Sequence, residues 1–342
     1  MGAKITDVAK KAGVSISTVS RVLNGQAKVS YDLQKKVLLA VKELDYRPSQ
    51  AAKSLASRKS NLIGVIVPDL SYDYYSTMIS AIEEEASKKG YNIVVCSIQE
   101  ELSKEIKYLQ LFNNMYICGL ILMHEKTNAK ILSQLNQCNY PIIQASILIQ
   151  GFSSININID DYKASYEAIK FLINKGHKKI AMIGSVNKDT TSGYFRHKGY
   201  CDALIDNNIE CLDSFFKIGD FTYESGYNKT KELFSLKDRP TAIFVASDTM
   251  AVGALNAALD NGFSVPEDIS IIGFDNIFLS SIVRPSLTTI SQPAKLIGKL
   301  SVLSIIDKKE NYTINKRTYK LEDGKIIVPH KIIERKSVKT IN

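Results

Sequence analysis

The chain has 342 residues, 45% hydrophobic and 23% charged, with a formal net charge of +9. That length suits two or three domains, and that balance belongs to an ordinary globular protein, which excludes disorder as the main state. No stretch approaches the roughly 18 to 20 consecutive apolar residues of a bilayer span, and no apolar run follows the basic residues near Met1, so neither a membrane span nor a secretory signal is expected.

Thr6 followed by Asp7-Val8-Ala9-Lys10-Lys11-Ala12 predicts an N-cap and a short helix with Val8, Ala9 and Ala12 on one face. Gly13 stops it, because glycine enters a left-handed turn at little cost. Ser15 is placed to cap a second helix reaching about Leu23. There Val19 and Val22 point one way, and Ile16, Ser17, Ser20 and Arg21 the other. Asn24-Gly25 signals a turn, and Ser30 is placed to cap a third helix that Tyr46-Arg47-Pro48 ends. The small Ala9, the turning Gly13 and the packing Val19 stand at helix-turn-helix spacing.

The positive charge is concentrated in this module. Residues 1–60 hold twelve basic and four acidic side chains, 12 − 4 = +8, whereas the other 282 hold 32 basic and 31 acidic, a net of +1. A basic helical module on a nearly neutral body points to nucleic acid. A solvated basic face on a plain three-helix bundle is the alternative. After Pro48 the segment Ser49–Ser60 favours a helix of about two turns, too short to be stable alone in water. Its one large apolar side chain, Leu55, either docks on the body or wedges into DNA.

Beyond residue 60, β-branched runs such as Leu62–Val67, Asn92–Val95, Gly119–Met123 and Pro141–Ile143 alternate with amphipathic segments. The pattern lapses near Gly151 to Asn158 and resumes in Lys179–Ile183, Ala242–Ala246 and Ile269–Phe274. Near-continuous apolar strands between helices indicate buried parallel sheets, here in two lobes with a boundary near residue 160.

An enzyme finds no support in the motifs. None of the 18 glycines forms a G-x-G pair, and neither a G-K-S/T loop nor a G-x-S-x-G elbow occurs. Asp160-Asp161 reads as helix capping rather than an acid/base pair. The five cysteines are odd in number and widely spaced, which predicts reduced, buried thiols and no zinc site or disulfide framework.

Ile5-Thr6-Asp7-Val8-Ala9, Ala12-Gly13-Val14-Ser15, the run Thr18–Asn24, Tyr46-Arg47-Pro48 and Leu55-Ala56 resemble the lactose-repressor (LacI/GalR) family of bacterial transcription regulators. The resemblance continues over roughly residues 4–336, in Pro68-Asp69 with Tyr74-Tyr75, Lys175–Ala181, Arg196 with Lys198-Gly199-Tyr200, Asp248–Ala251, Ile272–Asn276 and Arg284–Ile290. It is nearest the catabolite control branch of Gram-positive bacteria.

The resemblance implies an all-α helix-turn-helix head over 1–47, a hinge helix and linker over 48–60, and an α/β body over 61–342 resembling periplasmic sugar-binding proteins. Chain crossings near 160, 290 and 321 would put 61–160 and 291–321 in the first lobe, and 161–290 and 322–342 in the second. It implies Ile16, Ser17 and Arg21 at base edges, Thr6, Ser15, Thr18 and Asn24 at phosphates or as caps, and Ala52 and Leu55 in the minor groove. Tyr74, Tyr75, Asp160, Arg196, Phe221, Ser247 and Asp275 would hold an effector. The implied protein is a cytoplasmic, homodimeric, non-enzymatic repressor of palindromic operator DNA. It would answer to a small metabolite such as a sugar or sugar phosphate and need no metal or cofactor. The catabolite control branch docks a phosphorylated carrier protein on an arginine-bearing helix after its Gln-Pro motif. Here Gln292–Ser304 contains no arginine, which favours the small ligand over that corepressor. A plain sugar-binding protein or an enzyme with a basic extension are the remaining alternatives.

Overall fold

The computed structural model describes residues 3–23, 29–46, 60–99, 101–185 and 191–341. The chain divides into two units, Met1–Ser60 and Asn61–Asn342. Asn24, Ala52 and Leu55, and with them the helix expected after Pro48, lie outside the described residues.

The first unit contains α1 (Ile5–Ala12), α2 (Ile16–Leu23) and α3 (Tyr31–Glu43). α1 starts earlier than expected. Lys4 is its N-cap and donates its backbone N–H to Asp7 Oδ2 at 2.8 Å, so Thr6 sits inside the first turn and is no cap. Gly13 ends α1 in the left-handed region at φ 66°, where a side chain would be strained. Ser15 Oγ accepts from the Thr18 N–H at 3.1 Å and so caps α2. Ser30 precedes α3, but its hydroxyl makes no capping bond. Val8, Val19 and Val37 are fully buried where the three helices meet. Each buried valine contributes roughly 1.5–3 kcal/mol.

The second unit has two six-stranded sheets. The first lobe is built from β1 (Leu62–Val67), α4 (Asp73–Lys88), β2 (Asn92–Ser97), α5 (Leu102–Asn114), β3 (Gly119–Leu122), α6 (Ala129–Asn136), β4 (Ile142–Ala145) and β5 (Ile155–Asn158). The second lobe follows with α7 (Asp161–Asn174), β6 (Ile180–Gly184), α8 (Thr191–Asp206), β7 (Phe216–Ile218), α9 (Tyr223–Phe234), β8 (Ala242–Val245), α10 (Asp248–Asp260), β9 (Ser270–Asp275), α11 (Phe278–Ile282) and β10 (Thr288–Ser291). The chain then returns to the first lobe through α12 (Ala294–Ile306), the hairpin β11 (Asn311–Ile314) and β12 (Arg317–Lys320), and β13 (Lys325–Ile327). It ends in the second sheet with β14 (Lys331–Ile333).

Strand order is β13-β5-β4-β3-β1-β2 in the first sheet and β14-β10-β9-β8-β6-β7 in the second. Within these two sheets all pairs are parallel except β14, which lies antiparallel to β10, while the β11–β12 hairpin forms a separate antiparallel pair. Such sheets are buried on both faces, which is why β3, β4, β6 and β8 are buried at every residue. Two expectations are corrected. The third crossing falls after β13 instead of near residue 321, because Ile326 pairs with Ile157 of β5. The stretch where the sequence pattern lapsed contains a strand, β5, whose Asn156 and Asn158 are buried. Their amides find partners: Asn156 Nδ2 donates to Ile147 O, and Asn158 Oδ1 accepts from the Ile159 N–H at 2.9 Å.

Candidate functional site

In the first unit, Val19 anchors α2 while Ile16, Ser17 and Arg21 face outward, Ile16 at 48% exposure. The Ser15 hydroxyl stands 2.7 Å from Ser17 Oγ and 2.9 Å from Thr18 Oγ1, so the three polar side chains form one cluster at the start of α2. Thr6 is exposed on α1. Ile16, Ser17 and Arg21 thus share an open face of α2.

In the second unit, residues of both lobes surround a cavity of about 460 Å³. Six of the seven expected effector residues line it: Tyr74 and Tyr75 from the first turn of α4, Arg196 from α8, Phe221 and Ser247 from the loops before α9 and α10, and Asp275 from the end of β9. Asp160 does not. It is exposed, and its Oδ1 accepts from the Lys163 N–H at 2.9 Å, which makes it the N-cap of α7. The next residue does not line the cavity either, but it holds one residue that does. Asp161 is buried and accepts from Arg196 Nε at 2.8 Å.

Arg196 is held from three sides. Besides Asp161, its Nη1 donates to Ala246 O at 2.8 Å, and its guanidinium stacks 3.7 Å from the centre of the Phe274 ring. Burial works against its charge, but Asp161 and Asp275 together keep it above its ordinary value. The helix that presents it is seated by Gly199, where an added Cβ would come 2.3 Å from Tyr162 O of α7. A side chain there would push α8 away from α7 and separate Arg196 from Asp161.

Gln292, at the second crossing, ties the lobes together. Its Nε2 donates to Asp275 Oδ1 at 2.7 Å, and its Oε1 accepts from Tyr74 Oη at 3.3 Å. Tyr74 Oη also bonds to Ser146 Oγ. A further link runs from Ser192 Oγ at the start of α8 to Glu125 Oε1 beyond β3, at 2.7 Å. Burial pushes the Asp275 carboxyl up to about 6, with Arg196 and the Gln292 bond pulling it back. Behind it, burial and then Asp275 push Asp248 up to about 8, against bonds from Thr289 and the Ile277 N–H. Ser146, Phe221 and Asp275 hold φ values of 59°, 69° and 113°. Non-glycine residues rarely adopt such values, and strain of this kind gathers where side chains must be aimed.

Sequence reasoning missed Ser146, Gln292, Ser192 and the buried pair His124–Glu105, whose Nδ1 and Oε2 are 3.0 Å apart at the cavity wall. Histidine and glutamate 19 residues apart give no local signal. Four of the five cysteines are half-buried, which corrects the expectation of buried thiols; only Cys96 is buried. Among the described residues no group of three or more His, Cys, Asp or Glu could hold a metal ion, and no helix is long and apolar enough to cross a membrane.

Residues 4–49 match the model of the bacterial regulatory proteins of the lacI family, and residues 169–338 match the periplasmic binding protein-like domain. The chain is 35% identical to catabolite control protein A of Priestia megaterium, over 99% of this chain and all of that protein. The chain belongs to the lacI family. Within that family it is also 36% identical to the transcriptional repressor PurR of Serratia proteamaculans, over 98% of this chain and 97% of that one. Its fold superposes on the lac repressor dimer bound to operator and an anti-inducer, with a TM-score of 0.84 and 28% identity over 99% of this chain and all of that one. It is therefore a DNA-binding transcription regulator with a helix-turn-helix head and a two-lobed α/β body.

Proposed function

We propose that this regulator is a repressor that binds palindromic operator DNA as a homodimer. In this reading the body's cavity takes a small polyhydroxy metabolite, a sugar or sugar phosphate, that resets operator affinity. The observation that carries the reading is the lining of the cavity. A buried guanidinium, the Asp275 carboxylate and the Gln292 amide converge beside the rings of Tyr74, Tyr75 and Phe221. Convergent polar groups grip hydroxyls while flat rings cover the apolar face of a sugar. The lac repressor structure with operator and anti-inducer supports the same division of labour.

Ile16, Ser17 and Arg21 are assigned to base edges, and Thr6, Ser15, Thr18 and Asn24 to phosphates. Ala52 and Leu55 are assigned to the minor groove. A dimer is needed because one such helix contacts few base pairs. Phe278 and Ile282, one turn apart on α11, are 75% and 48% exposed and supply an apolar face for a second copy. The protein acts in the cytoplasm and performs no catalysis. The likeness to catabolite control protein A favours a second reading, a phosphorylated carrier protein as corepressor.

The experiment is fluorescence anisotropy on a palindromic duplex, with sugars, sugar phosphates or a phosphorylated carrier protein added in turn. A shift in operator affinity with a sugar supports the first reading, and a shift with the carrier alone supports the second. No shift with any of them, in a protein whose melting temperature no sugar raises, removes the effector reading.

A further inference from the structure

Two half-buried thiols of the second lobe stand in contact. Cys201 lies on α8, and Cys211 lies on the segment between that helix and the short turn Asp213–Phe215. Their sulfurs are 2.7 Å apart, nearer than unbonded sulfurs rest, against a disulfide bond length of about 2.05 Å. One turn before Cys201, His197 places its Nε2 3.6 Å from the Cys201 sulfur. Both thiols are partly open to solvent.

The surroundings divide the labour. In the bond between them the Cys211 thiol donates to the Cys201 sulfur, and this contact holds the Cys211 thiol below its ordinary value. Burial holds His197 below its ordinary value, which leaves the imidazole neutral and able to accept a proton. Burial raises the other three thiols, Cys96, Cys138 and Cys118, the last to about 11, so they are poor nucleophiles near neutrality.

We propose that Cys201 and Cys211 form a modification site at which a hydroperoxide is reduced and the two thiols are joined as an intramolecular disulfide. The Cys211 thiolate attacks one peroxide oxygen. An S–O bond forms, the O–O bond breaks, and the departing alkoxide or hydroxide takes a proton to leave as alcohol or water. Cys211 is then a sulfenic acid. The Cys201 sulfur attacks the Cys211 sulfur, its proton passing by way of His197, so that the S–S bond forms as the S–O bond breaks and water leaves. Two thiols lose two electrons in all, and the peroxide gains them. The product ties α8, the helix that presents Arg196 to the cavity, to the segment leading into β7. The site stands apart from the effector reading, since neither thiol lines the cavity.

The test treats the full-length reduced protein with hydrogen peroxide. The free thiol count should fall from five to three. The tryptic peptide of residues 199–217, which contains both cysteines, should become lighter by two hydrogen atoms, and dithiothreitol should reverse the change. Cys201→Ser and Cys211→Ser should each abolish that loss of mass. The oxidised protein should melt at a higher temperature, because the cross-link restricts the unfolded chain. The proposal is overturned if the peptide gains oxygen instead, if other cysteines react while this pair stays reduced, or if oxidation lowers the melting temperature.

Discussion

Arg196 Nε donates to Asp161 Oδ1 across 2.8 Å, with both side chains less than one tenth exposed. The pair joins the start of α7, just past the first crossing, to the helix at the cavity wall. It makes the cavity's guanidinium a structural element as well as a binding group, and this shapes how the effector reading is tested. Arg196→Ala should destabilise the body by about 3–5 kcal/mol, because it strands a buried carboxylate. Adding Asp161→Asn should recover part of that loss. Urea unfolding of the single and double variants decides the matter; equal stabilities would mean the pair contributes nothing.

Asp275→Asn is the cleaner probe of the cavity. An asparagine oxygen can still accept from Gln292 Nε2, which now reaches Asp275 Oδ1 at 2.7 Å, so the fold keeps that bond. A lost charged hydrogen bond to a ligand is worth roughly 1.5–3 kcal/mol, so the effector concentration for half response should rise at least about tenfold. Effector-free operator affinity should stay within about threefold. An unchanged response in anisotropy titrations would show that the effector binds elsewhere.

The buried acids make stability depend on pH in an unusual direction. Asp248 and Asp275, pushed up to about 8 and about 6 by burial, hold protons more tightly in the folded state than in the unfolded one. Stability therefore rises as pH falls from about 8 towards about 6.5, with a slope of up to about 1.4 kcal/mol per pH unit for each proton taken up. Groups shifted the other way oppose this lower down. Burial holds His177 and His197 below their ordinary value, so stability is lost below about pH 6.5 as the unfolded imidazoles take up protons, and Asp202 beside Lys198 follows in stronger acid. Asp248→Asn should flatten the slope between pH 6 and 8 in thermal melts; a slope identical to the parent protein's would show that Asp248 does not titrate there.

Arg21→Ala and Ile16→Ala should leave the melting of the first unit nearly unchanged, since both side chains are exposed on α2. If they touch bases, each weakens binding to the specific site by about 1–3 kcal/mol and relaxes preference at one position. If Arg21 meets a phosphate instead, affinity falls equally on all sequences and the salt dependence becomes shallower. Binding measured against specific and scrambled duplexes over a salt series separates the two.

Phe278→Glu with Ile282→Glu should convert the dimer to monomers in sedimentation at micromolar concentration and weaken operator binding sharply. Both side chains are exposed, so the body itself should remain folded. A double variant that still sediments as a dimer would place the interface elsewhere.

What the sequence determined by itself was local. The three head helices, the Gly13 stop and the Ser15 cap follow from neighbours within a few residues. The buried strands follow from uninterrupted apolar runs. Six of the seven effector residues that the family's motifs anticipated line the cavity, and of these Tyr74, Tyr75, Ser247 and Asp275 sit at the start of a helix or the end of a strand.

Tertiary structure decided everything that depends on a partner far along the chain. Asp160 and Asp161 are chemically alike, and only the turn of α7 sends one to solvent as a cap and the other inward to Arg196. β5 looked polar because its asparagines are paid for by backbone groups that no periodicity reveals. The same is true of Gln292 with Asp275, His124 with Glu105, and the late third crossing through β13. Hydrophobic period says which face of an element is buried. Which polar atom meets which depends on how whole elements dock.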